Sequence, residues 1–295
     1  MALAEIIDPE TKEKISYYLD DRLQHNLKNK VLPALTKQDK DFFMIVDGKE
    51  GSGKSTIALS IGKFVDPTLN LDRVVFNAED FAKAVYSAKK GQVIIFDEAF
   101  TGLSSRAALS SVNKTLVSLM MQMRQKNLMV IIVLPTVFML DKYMVLHRAK
   151  ILIHVYENKG RRGYFRVYNY KQKKLLYLYG KKDYSYSRKI ARTNFKGRFY
   201  GKFALGDAEM EKRYRDKKEL SLIETSNNQK GTSNEKYFNE RNALIDILKE
   251  ESKLSYRKLS ILLKDHSIDI SHQQVKNICD KFQNQPKLKE ADVKD

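Results

Sequence analysis

Gly48, Gly53, Lys54 and Ser55 stand at the spacing GxxxxGK[ST] inside the stretch Phe42 to Ser55, FFMIVDGKEGSGKS. Residues of these types at this spacing can hold a chain of phosphates. Gly48, Gly51 and Gly53 have no side chain to obstruct the approach, so the backbone N–H groups of the turn, Ser52 included, can curl around phosphate oxygens. Lys54 then reaches the β- and γ-phosphates, and the Ser55 hydroxyl ligates Mg²⁺. The elements that must position these groups are legible on either side. The apolar run Phe42 to Val46 reads as a strand, and Ile57 to Phe64 opens an apolar-periodic helix. A strand, a glycine-rich turn and a helix start, in that order, outweigh the alternative of an ordinary surface turn.

In motif and flanking pattern the chain resembles the P-loop NTPases, which implies bound ATP and Mg²⁺. A second stretch extends the resemblance. Gln92 to Ala99, QVIIFDEA, is a strand buried on both faces that ends in two carboxylates. Alone it would be an unremarked strand-to-loop transition. Forty residues behind a P-loop it resembles the Walker B pattern, which implies that Asp97 holds the metal shell and Glu98 polarises the attacking water. The adjacent glutamate resembles the branch that includes translocases, helicases and AAA+ machines. The same likeness marks Thr136, at the end of the buried run Leu128 to Leu134, as a sensor of the γ-phosphate. It also marks Arg148, just before the strand Ile151 to Tyr156, as an arginine finger for a neighbouring subunit, with Arg124 the alternative and a plain surface ion pair the competing reading. His154, alternating with apolar neighbours, reads as a packed core histidine.

The 295 residues, 42% apolar, suffice for one α/β domain and smaller modules. No run resembles a signal peptide or reaches about 18 uninterrupted apolar residues, so a soluble, cytoplasmic protein without stable membrane insertion is expected. The single cysteine, Cys279, excludes an internal disulfide and reads as a buried helical thiol. Much of the +18 formal charge is local: residues 157 to 218 hold 20 Lys/Arg against 6 Asp/Glu, with 9 of the 16 tyrosines. Basic residues interleaved with aromatics combine phosphate attraction with stacking faces, against the plainer alternative of a solvated surface. Arg161, Arg162, Lys173 and Lys174 are the expected nucleic-acid contacts.

Taken in order, residues 1–40 read as a helical preface on the spacing of Ile15, Tyr18, Leu19 and Leu23. Residues 41–157 form the P-loop core, with strands near 42–47, 73–76, 92–97, 129–134 and 151–156 separated by helical patterns, hence an α/β fold with a parallel sheet and helices on both faces. Residues 158–220 read as a basic, Tyr-rich extension with a hairpin of Gly163–Tyr170 and Lys174–Tyr179. Residues 221–235 read as a linker. Residues 236–285 give three short helices, with Ser255 and Ser271 as caps, resembling a helix-turn-helix module whose third helix presents His272, Gln273, Lys276 and Asn277 to a major groove; docking to a protein partner is the alternative.

The whole pattern resembles the DNA-handling ATPases of phages and mobile elements, including FtsK/HerA-type translocases, packaging motors and zonular-occludens-toxin-like ATPases. It implies a homo-oligomeric, ring-like ATPase that moves DNA. An AAA+-like loader or transposition regulator, and a nucleotide-gated DNA-binding regulator, are the alternatives.

Overall fold

A computed structural model describes residues 2–7, 9, 12, 14–97, 106–200, 205, 208–230, 233–266 and 268–283, without the side chains of residues 2, 106–111, 120, 222–230, 233–237 and 281–283. The chain divides into two compact units, 1–225 and 226–295.

The first unit opens with a β-hairpin, β1 (Ala2–Ile7) and β2 (Lys14–Leu19), where a helix was expected. The period is two, not 3.6: Tyr17 and Leu19 are buried, while Tyr18 between them is exposed. Helix begins only at α1 (Asp21–Asn26), capped by Asp20 and continued through a π-turn into α2 (Leu32–Thr36).

The core then alternates as expected. In order come β3 (Phe42–Gly48), α3 (Lys54–Val65), β4 (Val74–Val75), α4 (Ala78–Ser87), β5 (Val93–Phe96), α5 (Arg106–Ser118), α6 (Met120–Gln125), β6 (Met129–Leu134) and β7 (Ala149–Asn158). The N-cap of α4 is Asn77, which accepts from Asp80 N at 2.8 Å. Strands β4, β5, β6, β3 and β7 lie side by side in that order and are parallel. β3 is therefore central, and its side chains alternate between two cores. Met44 and Val46 pack with Ile57 and Ile61 of α3 and with the N-terminal hairpin. Phe43 and Ile45 pack with Phe81, Leu116 and Met144 on the opposite face.

The Tyr-rich extension is not a hairpin of its own. β8 (Arg161–Tyr168) pairs antiparallel with β7, and β9 (Phe195–Arg198) pairs antiparallel with β8, extending the sheet to seven strands. Between them the segment expected as the second hairpin strand is α7 (Tyr170–Gly180), with Asn169 accepting from Lys171 N and Gln172 N at 3.1 and 3.2 Å. Of the expected linker, residues 221–230 and 233–235 are helical, because α8 (Ala208–Lys230) runs into it and α9 (Ser233–Ser252) starts within it.

The second unit packs Ile245 of α9, Leu259 and Leu263 of α10 (Tyr256–Asp265), and Val275 and Cys279 of α11 (His272–Gln283) into a small core. Ser255 caps α10, and Ser271 Oγ accepts from Gln274 N at 3.3 Å in the first turn of α11. Burial pushes the Cys279 thiol up to about 11, so it stays protonated and packs as a small apolar group. No helix among the described residues is long and apolar enough to cross a membrane.

Candidate functional site: a phosphate cradle at the carboxyl edge of the sheet

The loop after β3 has the backbone that its glycines permit. Gly48, Gly51 and Gly53 lie at φ 147°, 73° and 98°, values that L side chains rarely adopt. At Gly48 the need is also steric, since a Cβ would stand 2.2 Å from the carbonyl oxygen of Val155 on the neighbouring β7. The loop folds back on Lys49 O, which accepts from Ser52 Oγ at 2.7 Å and from Lys54 Nζ at 2.9 Å. Ser52 is buried, and Lys54 and Ser55 are half-buried. Helix α3 starts at Lys54 with no side-chain cap on its first turn. Its leading N–H groups and dipole face the turn, an arrangement suited to an anion.

Asp97 follows β5 directly. Phe96 pairs with Ile132 of β6, and Ile132 pairs with Ile45 of β3, so Asp97 and the cradle emerge at the same edge of the sheet, one strand apart. Asp97 is 1% exposed. Its amide donates to Val75 O at 2.8 Å, and its Oδ2 accepts from the hydroxyl of Tyr214 on α8. The expected general base, Glu98, lies outside the described residues.

A polar cluster underlies the loop. Asp47, fully buried, accepts from Val137 N at 2.8 Å and from the Tyr186 hydroxyl, and its Oδ1 lies 2.9 Å from His154 Nδ1. Thr136 is 2.9 Å from the same Tyr186 hydroxyl, and the Tyr186 and His154 rings stack at 4.0 Å. Burial, then the charge of Asp47, pushes the Tyr186 phenol well above its ordinary value, so it acts as a fixed neutral donor. Thr136 thus sits at the edge where a sensor was expected, bonded to Tyr186. His154 is held by a carboxylate in place of purely apolar packing.

Several expectations are corrected by position. Arg148 bonds the buried Asp41, the residue before β3, and its strand β7 begins opposite Phe43. It therefore stands at the amino end of the sheet, about 20 Å from the cradle along β3, in a half-buried ion pair that does not present a finger. Arg124, the alternative, donates to Asp39 O at that same end. Lys173 is fully buried and donates to Val145 O, so it is withdrawn from any nucleic-acid surface. Burial lowers its pKa to about 8. Lys174 lies half-buried with its ammonium 4.5 Å from the centre of the Tyr170 ring.

Arg161 is exposed at the start of β8, but Arg162 turns towards the phosphate loop: its Nη2 comes within 3.6 Å of where a Gly51 Cβ would stand, and its Nε donates to Glu157 at 3.2 Å. The Phe199 ring closes on Gly53, 3.1 Å from its Cβ position. Sequence reading missed Asp47, Tyr186, Phe199 and Tyr214. For Asp47 a signal existed, a carboxylate continuing an apolar strand; the others stand more than 110 positions along the chain from the residues they meet. In the second unit Gln273, Lys276 and Asn277 all lie on the exposed side of α11.

No protein-family model matches the sequence. No curated protein matches it. Among solved structures, the N-terminal domain of zonular occludens toxin from Neisseria meningitidis is similar at 14% identity and a TM-score of 0.29, over 44% of this chain and 84% of that one.

Proposed function

We propose that the chain is a P-loop ATPase that hydrolyses Mg·ATP and acts on DNA as a motor or translocase. The observation that carries the nucleotide reading is the cradle itself: three glycines in left-handed or otherwise glycine-favouring backbone lead into an uncapped helix N-terminus, with a buried aspartate at the same sheet edge. The donor set fits the metal. A hydroxyl (Ser55) and a carboxylate (Asp97) are hard oxygen ligands of the kind Mg²⁺ takes beside phosphates, and the metal would offset phosphate charge. The chain's own groups do the rest. Backbone N–H groups of the loop and of α3 bind the phosphates, and Lys54 exchanges its bond to Lys49 O for a phosphate oxygen. On the sequence pattern Glu98 takes the proton of the attacking water.

The DNA reading rests on the exposed Arg161 and on the polar face of α11, Gln273, Lys276 and Asn277; subunit assembly belongs to the same proposal.

The test is ATP turnover with and without single- and double-stranded DNA, alongside the mass of the assembly. Lys54→Ala is expected to lose nucleotide binding. Glu98→Gln is expected to retain binding and lose turnover by at least a hundredfold. DNA-stimulated turnover with strand or triplex displacement supports a motor; stimulation without displacement marks a loader; slow turnover with sequence-specific, ATP-dependent binding marks a regulator. Normal turnover in Glu98→Gln overturns the catalytic assignment.

A further inference from the structure

Helix α8 lies outside the nucleotide-binding motifs, yet it reaches the metal-binding carboxylate. Along it Met210, Tyr214, Lys217 and Ser221 recur at spacings of four, three and four, one stripe of an α-helix. Each is engaged on the first unit. Met210 packs on the core that carries α3, and Ser221 is buried. Lys217 donates to Leu71 O at 2.7 Å and to Val74 O at 2.9 Å, tying the helix to the start of β4. Tyr214 is 7% exposed, with its ring 5.6 Å from that of Phe76. Its hydroxyl donates to Asp97 Oδ2.

A phenol suits this place. A buried carboxylate needs donors, and a Lys or Arg would supply them while cancelling the negative charge that attracts a cation. A neutral O–H satisfies one oxygen, fixes the carboxylate plane and preserves the charge. The Phe76 contact in turn fixes the phenol, so the torsion of Asp97 is set from outside the strand that leads into it.

Resting on the nucleotide reading above, we propose that Tyr214 is a positioning residue for the metal site: it presets the Asp97 carboxylate to receive the hydrated Mg²⁺ of the bound nucleotide. Outer partners of metal-binding groups commonly govern metal affinity by 10- to 100-fold.

The test titrates Mg²⁺ into the full-length protein with a non-hydrolysable ATP analogue and reads nucleotide affinity and melting temperature, with no turnover required. Tyr214→Phe keeps the ring and deletes the donor. It is expected to raise the Mg²⁺ concentration for half-maximal effect about tenfold, while affinity for the analogue in EDTA stays at the wild-type value. Lys217→Met loosens α8 without touching Asp97 and is expected to lower the melting temperature with the Mg²⁺ requirement unchanged. An unchanged requirement in Tyr214→Phe overturns the proposal, and so does a lowered one, which would make the hydroxyl a competitor of the metal. An equal rise in Lys217→Met overturns it as well, because helix docking alone would then explain the effect. Wild-type binding that ignores Mg²⁺ overturns the nucleotide reading together with this one, whereas a wild-type Mg²⁺ response shared unchanged by Tyr214→Phe removes this one alone.

Discussion

Lys173 shows how a single side chain can be misjudged from its neighbours. It stands in a run of basic residues, and its surroundings in sequence point to a phosphate surface; its place on α7 turns it inward onto Val145 O. Burial lowers its pKa from 10.5 to about 8. The unfolded chain therefore holds that proton through a pH range in which the folded chain has released it. The cost of burying the charge is fully present below pH 8, and stability gains roughly 3 kcal/mol from this group as pH rises from about 8 to 10.5. Lys173→Met is expected to remove that rise in denaturant melts taken at pH 7.5 and 10, and to leave DNA affinity unchanged. A wild-type protein whose stability does not rise relative to Lys173→Met over this range contradicts the assignment. The glycine loop is the opposite case, because the positive φ that Gly48, Gly51 and Gly53 adopt is a local demand that their residue type announces.

Among the elements, those with one unambiguous period were legible and those placed by remote partners were not. The central strands announced themselves as apolar runs, and all five lie where the pattern put them. Helix α7 was read as a strand because KLLYLY is rich in β-formers; yet Lys173, Leu176, Tyr177 and Gly180 are buried at helical spacing, and Asn169 supplies the cap. The hairpin β1–β2 reads as helix on the spacing of Ile15, Tyr18, Leu19 and Leu23, but Tyr18 is exposed between the buried Tyr17 and Leu19, and Leu23 belongs to α1. The start of β7 was legible as a strand, and a residue just before a parallel strand stands at the amino edge, opposite the glycine loop; only the partner that Arg148 meets there was not legible. Paired with Asp41, it clamps the amino ends of β3 and β7. Arg148→Met is expected to cost about 1–3 kcal/mol in chemical melts by stranding Asp41, and Asp41→Asn in the same chain to recover part of it. Turnover per folded molecule should hold, and mixing with a subunit disabled in its cradle should give no rescue; rescue would restore the finger.

At the scale of the molecule, the first unit is closed by its own beginning. The Tyr17 hydroxyl donates to Ser60 O on α3 at 2.7 Å, and Tyr18 exchanges backbone hydrogen bonds with Tyr200, just past β9. Removing residues 1–19 uncovers the outer face of α3 and the apolar side chains that β1 and β2 bury against it. The truncated chain is expected to melt at least 10 °C lower, the result of losing several buried side chains, and to bind the ATP analogue at least tenfold more weakly; calorimetry of both chains decides this. None of this closure could be read from the sequence, because each contact joins segments with no common motif. The Phe199 ring against Gly53 carries a consequence for synthesis. The ribosome delivers the glycine loop early and its aromatic wall about 150 residues later, an interval of roughly 7 to 30 s at ordinary elongation rates. For that time the emerging chain holds a glycine loop open on one side, so nucleotide binding should become competent as a late event of translation.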